Sequence, residues 1–586
     1  MIVPFGAPIF MLVYGAFRST LPGLKGAHWT LDGFRVAYSD PATYESLKNS
    51  LILASSVTVL SVVTAIALAW ISERTNTPGR RLVTPVMVIV FATPALFFGL
   101  GWTMLANDPI GLLNNASRWL LHNSATPFDI NTWQGLIMVS SLKMTAVVYL
   151  LVLGPMKAMS RSLEEASLIA GAGRGRTFFR IQVPILAPAI SGIAVLLFVI
   201  MMSVVDIPLL IGTPAGIVVY SSHIYEYFGT GNLYAATSAL SFVLTAAVVI
   251  VVLVQQRMLR GRMFTTVSGK GYSQRRWEIG RWRWVCAAGF ALYALLAVIL
   301  PVGEVIFGSF QPIFGLYGRY TLNNYQRVFT DAATSEALRN TITIGVVVGL
   351  VSAVLAMIIS YVQRRSKSRL RQLPNGMIWI ILTMPGIVFS LATIWGFLLF
   401  PGLRNLYGTV TMVMIALVVH SVPLAMRATE GAIVQIGPEL EESARVSGAT
   451  SLRTLVGIVG RLLLPSFVAA WVVTGLLSAG NLDIPLLMSA SKRNTVPVKV
   501  YQLYTSADLS GAAALLVSYL SIFGIAVLVV FVLQRVLRVS RRGWSRRRQN
   551  RAYAQRDRTA VDELIADVQN VEPMASSRGS GSGGSA

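Results

Sequence analysis

TLDGFRVAYSDPATYESLKNS, residues 30–50, lies without gaps on TLNNYQRVFTDAATSEALRNT, residues 321–341, at a displacement of 291. The same displacement carries Arg74 to Arg365 and Pro94 to Pro385. A longer connection in the first half then reduces it to 277. At that offset Asp206-Ile207-Pro208-Leu209-Leu210 meets Asp483-Ile484-Pro485-Leu486-Leu487 residue for residue. The chain is therefore written twice, in parallel, and self-similarity on this scale sets the architecture. Gly15-Ala16-Phe17 also falls on Gly308-Ser309-Phe310, which leaves about 284–293 without a counterpart in the first half.

The composition says what surrounds these repeats. Of 586 residues, 54% are hydrophobic and only 13% charged, with a mean hydropathy of +0.63. A soluble domain carries about 25% charged residues, so this chain has too much apolar surface for water. That excludes a soluble enzyme, a disordered scaffold and a secreted disulfide protein, and the lone Cys286 can form no internal bridge. A hydrocarbon core about 30 Å thick takes roughly 20 apolar residues of helix. Twelve stretches qualify, at about 2–17, 49–71, 84–105, 134–157, 189–212, 234–254, 284–308, 340–362, 376–400, 409–426, 466–489 and 511–534. They are rich in Leu, Val, Ile and Ala and lack the alternation of an outer-membrane barrel. The expected fold is an all-α polytopic membrane protein of about twelve transmembrane helices in two parallel six-helix repeats, an arrangement that puts a solute route between the halves. The first span has no basic n-region and no small-residue cleavage site, and does not read as a secretory signal.

The net charge of +24 is sorted along the chain. Arg74, Arg80, Arg81, the basic run of about 255–283, Arg364–Arg371 and Arg541–Arg548 fall on one side. Segments 106–133 and 213–233, opposite, carry one basic residue between them, Arg118. By the positive-inside rule the basic side, including the C-terminus, is cytoplasmic. The linker mixes these charges with Trp277, Trp282 and Trp284, a pattern that suits anionic headgroups rather than nucleic acid. The last stretch, 575–586, has the Gly/Ser composition of a linker.

Between spans four and five stands EEASLIAGAGRGRTFFRIQVPILAP (164–188), and between spans ten and eleven EESARVSGATSLRTLVGIVGRLLLP (441–465), displaced by 277. Each has acidic residues, then small ones, a Gly six positions after the second Glu, and an Ile ten positions after that Gly. The pattern reads as a short helix, a turn that Gly permits, and an amphipathic stretch ending at Pro. Its repetition in register on the basic side suggests a docking element for two copies of one partner.

This pattern resembles the Glu-Ala-Ala loop of permease subunits in binding-protein-dependent ABC importers of the type I fold. Carried over by position, the first loop supplies Glu164, Glu165, Ala166, Gly171, Ile181 and Pro184, with Ser167 and Val183 as departures. The second supplies Glu441, Glu442, Ala444, Gly448, Ile458 and Pro465, with Ser443 as a departure and Gly460-Arg461 in place of Leu-Pro. The resemblance implies two permease domains, 45–256 and 336–535, joined by a basic cytoplasmic linker, 257–283, and followed by a basic, then flexible, tail, 536–586. It implies a multi-pass protein of the bacterial inner membrane whose two loops dock on two copies of an ATP-binding cassette subunit. A periplasmic or lipid-anchored solute-binding protein would deliver the cargo. Fused double permeases of this size look most like the ferric-iron group, and those for thiamine or 2-aminoethylphosphonate look similar. No GxxxxGK[ST] is present, so ATP and Mg are expected on the partner, with no cofactor, metal site or catalytic residue here. An ion-coupled secondary transporter would explain the duplication but not the paired loops.

Charges inside the apolar stretches are costly and need a reason. Lys143 lies mid-span in the fourth, and its repeat counterpart is His420. Asp206 and Asp483 lie near the outer ends of the fifth and eleventh. These four are candidates for the translocation pathway or its gate, with Lys143 expected to reach toward Asp206 or Asp483; the alternatives are that Lys143 and His420 fix helix packing and that the two Asp-Ile-Pro segments end their helices. Glu304 in the seventh has Met11 as its counterpart.

Overall fold

The computed structural model describes residues 2–526 apart from 21–25, 123–125, 160–165, 168, 230–233, 260–276, 366–379, 382–383, 435–438, 449, 451–452, 454–456, 458–459 and 489–493. Beyond these it describes 528–529, 532, 561 and 565. Residues 1–519 form one compact unit and 520–586 a second. Among the described residues every regular element is helical. The first repeat comprises α1 (Ile2–Ala16), α2 (Pro41–Arg74), α3 (Val83–Ala92), α4 (Ala95–Leu105), α5 (Trp133–Ala158), α6 (Val183–Ser203) and α7 (Tyr234–Leu259). The second has α8 (Trp282–Ala294), joined by a π-turn to α9 (Leu300–Ser309), then α10 (Ala332–Arg365), α11 (Gly386–Leu399), α12 (Val410–Val434), α13 (Gly460–Ala479) and α14 (Leu509–Ala526).

The repeat is visible in how the helices begin. Asp40 precedes α2 and its carboxylate accepts from Ala42 N at 2.9 Å, while Pro41 occupies a first-turn site where its missing N–H is not needed. Its counterpart Asp331 accepts from Thr334 N at 2.9 Å at the start of α10. The Tyr227 hydroxyl bond to Asp40 and the Thr334 hydroxyl bond to Asp331 hold both carboxyls below their ordinary range.

Three of the expected spans are interrupted. The stretch 84–105 is two helices, α3 and α4, bent by 96°. The break is at Thr93-Pro94: proline has no N–H for the ladder and biases the residue before it to extended backbone, and Thr93 has φ −71°, ψ 129°. Pro385 stands at the equivalent place before α11. The stretch 189–212 stops as helix at Ser203, with Val204 extended, and 466–489 stops at Ala479. The two Asp-Ile-Pro motifs therefore open separate short turns, 208–212 and 483–488, instead of ending the spans.

Within each half the long helices pair alike, α2 with α5 and α6, α10 with α12 and α13. The halves also exchange helices, α1 packing on α11 and α9 on α4. A Cβ on Gly15 would lie 2.8 Å from the ring of Trp395, and one on Gly308 would overlap the Met104 methyl. Gly15 with Gly308 and Met104 with Trp395 are repeat counterparts, so the two contacts are the same contact made twice.

Backbones approach each other closely where α10 meets α13. A Cβ on Gly475 would overlap Gly345 O, and one on Gly349 would lie 2.7 Å from Gly475 Cα and from Trp471 O. Such backbone-to-backbone packing is what small residues permit inside a membrane. Gly475→Ala is therefore expected to lower stability by about 1–3 kcal/mol through overpacking. Thermal unfolding in detergent reads this, and an unchanged Tm would show that the two helices separate without penalty.

Candidate functional site

Two regions carry the candidate residues. The first is the pair of loops on the basic side. Glu164 and Glu165 lie outside the described residues, as does Ile458. Ala166 starts a short helical turn, closed by Ala170 N to Ala166 O and Ala172 N to Ser167 O, each at 3.0 Å. Gly171 then takes a left-handed φ of +80°. In the second repeat Glu441 and Glu442 lie on the helix Glu439–Val446, with Glu442 exposed and Ala444 buried. Gly448 follows at φ +79°. A Cβ on either glycine would meet nothing within 4 Å, so it is the backbone conformation that asks for glycine.

After the turn the first loop runs through a π-turn, Phe178–Gln182, containing a half-buried Ile181, into α6. The amphipathic stretch does not end at proline. Pro184 sits in the first turn of α6, and Pro465 lies inside α13 as Pro188 does inside α6. Pro188 and Pro465 each take one amide out of the interior of the helix ladder.

Two residues that the motif did not single out stand beside these glycines. Ile169 is 88% exposed and Val446 90%, and they are counterparts at the 277 offset, each two positions before its glycine. The signal was present as an apolar pair in register, but only the structure shows both side chains bare.

The second region lies where the halves meet. Lys143 on α5 is buried, and its ammonium donates to Val90 O at 2.7 Å, Phe91 O at 3.0 Å and Thr93 O. It caps the broken end of α3, where carbonyls are left without amide partners, and lies 5.6 Å from the Phe98 ring centroid. Asp206 is the charge that acts on it, but its direct bonds are all to carbonyls. His420 on α12 takes the equivalent place: its ring lies close to the Met384 backbone, and its centroid is 5.4 Å from that of Phe389. Met384 and Phe389 are the counterparts of Thr93 and Phe98.

Asp206 and Asp483, one from each half, lie close enough to act directly on each other. Each keeps its Oδ1 buried and without a partner. Asp483 also lies against the start of α11, 2.9 Å from where a Gly386 Cβ would stand, where the positive end of a helix favours a carboxylate. Pro94 packs 2.9 Å from the corresponding position on Gly480. The four candidates thus converge on the two proline breaks. Glu304 lies elsewhere, on α9, 1% exposed with both carboxyl oxygens buried and unpartnered.

An all-helical body made of two parallel repeats, with interrupted helices and a polar cluster between its halves, is the architecture of a transport permease. The chain belongs to the family of binding-protein-dependent transport system inner membrane components, matching it twice, at residues 61–264 and 345–542. It is similar to the putative ferric transport system permease protein FbpB 1 of Haemophilus influenzae, 24% identical over 78% of this chain and 71% of the relative. It is 25% identical to the ferric transport system permease protein FbpB of Actinobacillus pleuropneumoniae, over 73% of this chain and 62% of that one. A second Haemophilus influenzae protein, Fe(3+)-transport system permease protein FbpB 2, is 21% identical over 90% of this chain and 97% of the relative. Among solved structures it is similar to a bacterial alginate ABC transporter in complex with alginate pentasaccharide-bound periplasmic protein, at 20% identity and a TM-score of 0.35, covering 39% of this chain and 83% of that chain.

Proposed function

We propose that this chain forms the translocation pathway of an ATP-driven importer and takes its motion through two loops, around Gly171 and Gly448, from two copies of an ATP-binding cassette subunit. Those subunits hold ATP and its Mg²⁺. Ferric iron, handed over by a periplasmic or lipid-anchored solute-binding protein, is the cargo. The observation that carries the coupling role is the pair of left-handed glycines with a bare apolar residue two positions earlier in each repeat. Apolar side chains held out in water at equivalent places suit two copies of one partner. The iron reading is supported by relatives named for ferric transport.

In this reading Lys143, His420, Asp206 and Asp483 close the pathway. Lys143 and His420 hold the proline-broken helix ends, and the carboxyl pair bridges the halves. Motion delivered at the loops parts that bridge.

The test is reconstitution of the chain with its ATP-binding subunit and binding protein in liposomes. ATP-dependent uptake of radioactive ferric iron, with two ATP-binding subunits co-purifying per chain, is expected. Uptake driven by an ion gradient without ATP would refute the importer reading. ATP-driven uptake of another solute with none of iron would refute the cargo alone.

A further inference from the structure

The linker between the repeats does more than join them. Its described part begins at Trp277, which pairs in parallel with Thr75 just beyond the end of α2. Trp277 N donates to Arg74 O at 2.9 Å, Asn76 N donates to Trp277 O at 3.2 Å, and Ile279 N donates to Asn76 Oδ1 at 3.3 Å. A segment about 200 residues away in sequence is thereby fastened to the end of α2 by its own backbone.

That attachment ties an indole to the coupling loop through one intervening ring. The Trp277 ring meets Trp70 of α2 edge to face, with centroids 6.0 Å apart. Trp70 in turn meets Phe178 edge to face at 5.9 Å. Phe178 opens the π-turn that leads from the Gly171 turn into α6. The three rings, with Ala67, Gly175 and Ile279, border a cavity of about 320 Å³ with almost wholly apolar walls. The same end of α2 holds the entrance to the loop: Arg74 is 3% exposed and donates to Met156 O at 2.6 Å and Met159 O at 3.1 Å, where α5 ends. One helix terminus therefore grips the loop where it leaves α5 and, through the linker's indole, where it enters α6.

We propose that Trp277 is a positioning residue for energy coupling: the linker acts as a strap that wedges Trp277 against Trp70, which in turn meets Phe178, and so fixes the first coupling loop against α2. The inference rests on the coupling role assigned above to the Gly171 loop. A loop that swivels on its stem would take up a partner's motion without passing it to α6. Edge-to-face aromatic pairs have a preferred geometry, so the strap sets an orientation as well as covering apolar surface.

The test compares Trp277→Leu with Trp277→Phe in the full chain, reconstituted with the ATP-binding and binding-protein subunits. Trp277→Leu keeps bulk but loses the ring, and is expected to lower solute transported per ATP hydrolysed roughly two- to tenfold, with the ATP-binding subunit still co-purifying. Trp277→Phe, which keeps an aromatic edge, should recover most of that ratio. Wild-type transport per ATP in Trp277→Leu overturns the proposal. Should Trp277→Leu fail to insert, Asn76→Ala, which removes only the Ile279 anchor, must show the same fall, and unchanged coupling there overturns it equally. Gly171→Val, assayed in parallel, separates this from the underlying reading. If Gly171→Val transports normally the coupling role itself is wrong, whereas a dead Gly171→Val beside a fully coupled Trp277→Leu condemns the strap alone.

Discussion

Replacing Gly171 or Gly448 with Val is expected to leave the chain inserted and folded while reducing ATP-driven transport to background. Both glycines hold φ near +80° with open space where a side chain would stand. A β-branched residue in that region costs about 1–3 kcal/mol of local strain. The turn relaxes to ordinary backbone instead, and Ile169 or Val446, two residues before it, is re-aimed. Asparagine tolerates the left-handed region, so Gly171→Asn and Gly448→Asn should transport far better than the valine variants. Uptake and ATP-binding-subunit association, measured together in proteoliposomes, check this. Normal uptake with normal association in both valine variants would remove the loops from the mechanism.

The second large effect belongs to Lys143. Lys143→Met strips the donor from Val90 O, Phe91 O and Thr93 O at the broken end of α3. Each buried carbonyl left unsatisfied costs roughly 1–3 kcal/mol, so a large fall in Tm in detergent is expected. Because the direct partners are carbonyls, Asp206→Asn should restore little of it. Double-mutant cycles then order the cluster. Asp206 with Asp483, which touch, should couple by about 0.5–3 kcal/mol, and Lys143 with either aspartate by less. A Lys143–Asp206 coupling larger than that between the aspartates would mean that the lysine is an ion-pair partner first and a helix cap second.

The pairing of Lys143 and His420 could be read by alignment, but their task could not. Depth along a span suggests that a buried lysine seeks an acid, because acids are the charged groups a sequence displays. The carbonyls it binds instead are backbone, and they are free only because Pro94 interrupts a stretch that reads as one helix. The same limit applies to Asp206 and Asp483. Five identical residues made them counterparts, yet nothing in the alignment states that counterparts touch. Contact follows from their closeness to the pseudo-symmetry axis, which is a property of how the halves face each other.

The loops were more legible. Gly171 and Gly448 were marked by spacing, and their left-handed φ is what a glycine after a short helix implies. Ile169 and Val446 were passed over because an apolar residue near a membrane-spanning stretch carries no information until its exposure is known.

Sequence alone determined that the chain lives in a membrane, that it is helical, that it is duplicated in parallel and where the two repeated Glu–Gly loops fall. These follow from composition and from periodic or repeated patterns, which are local or additive. Tertiary structure decided the exchange of α1 and α9 between the halves, the 96° break that exposes helix-end carbonyls, the carboxyl pair between the repeats, and the fastening of Trp277 to the end of α2. Each joins residues far apart in the chain, and which distant groups meet is set by packing of the whole, not by any stretch of it.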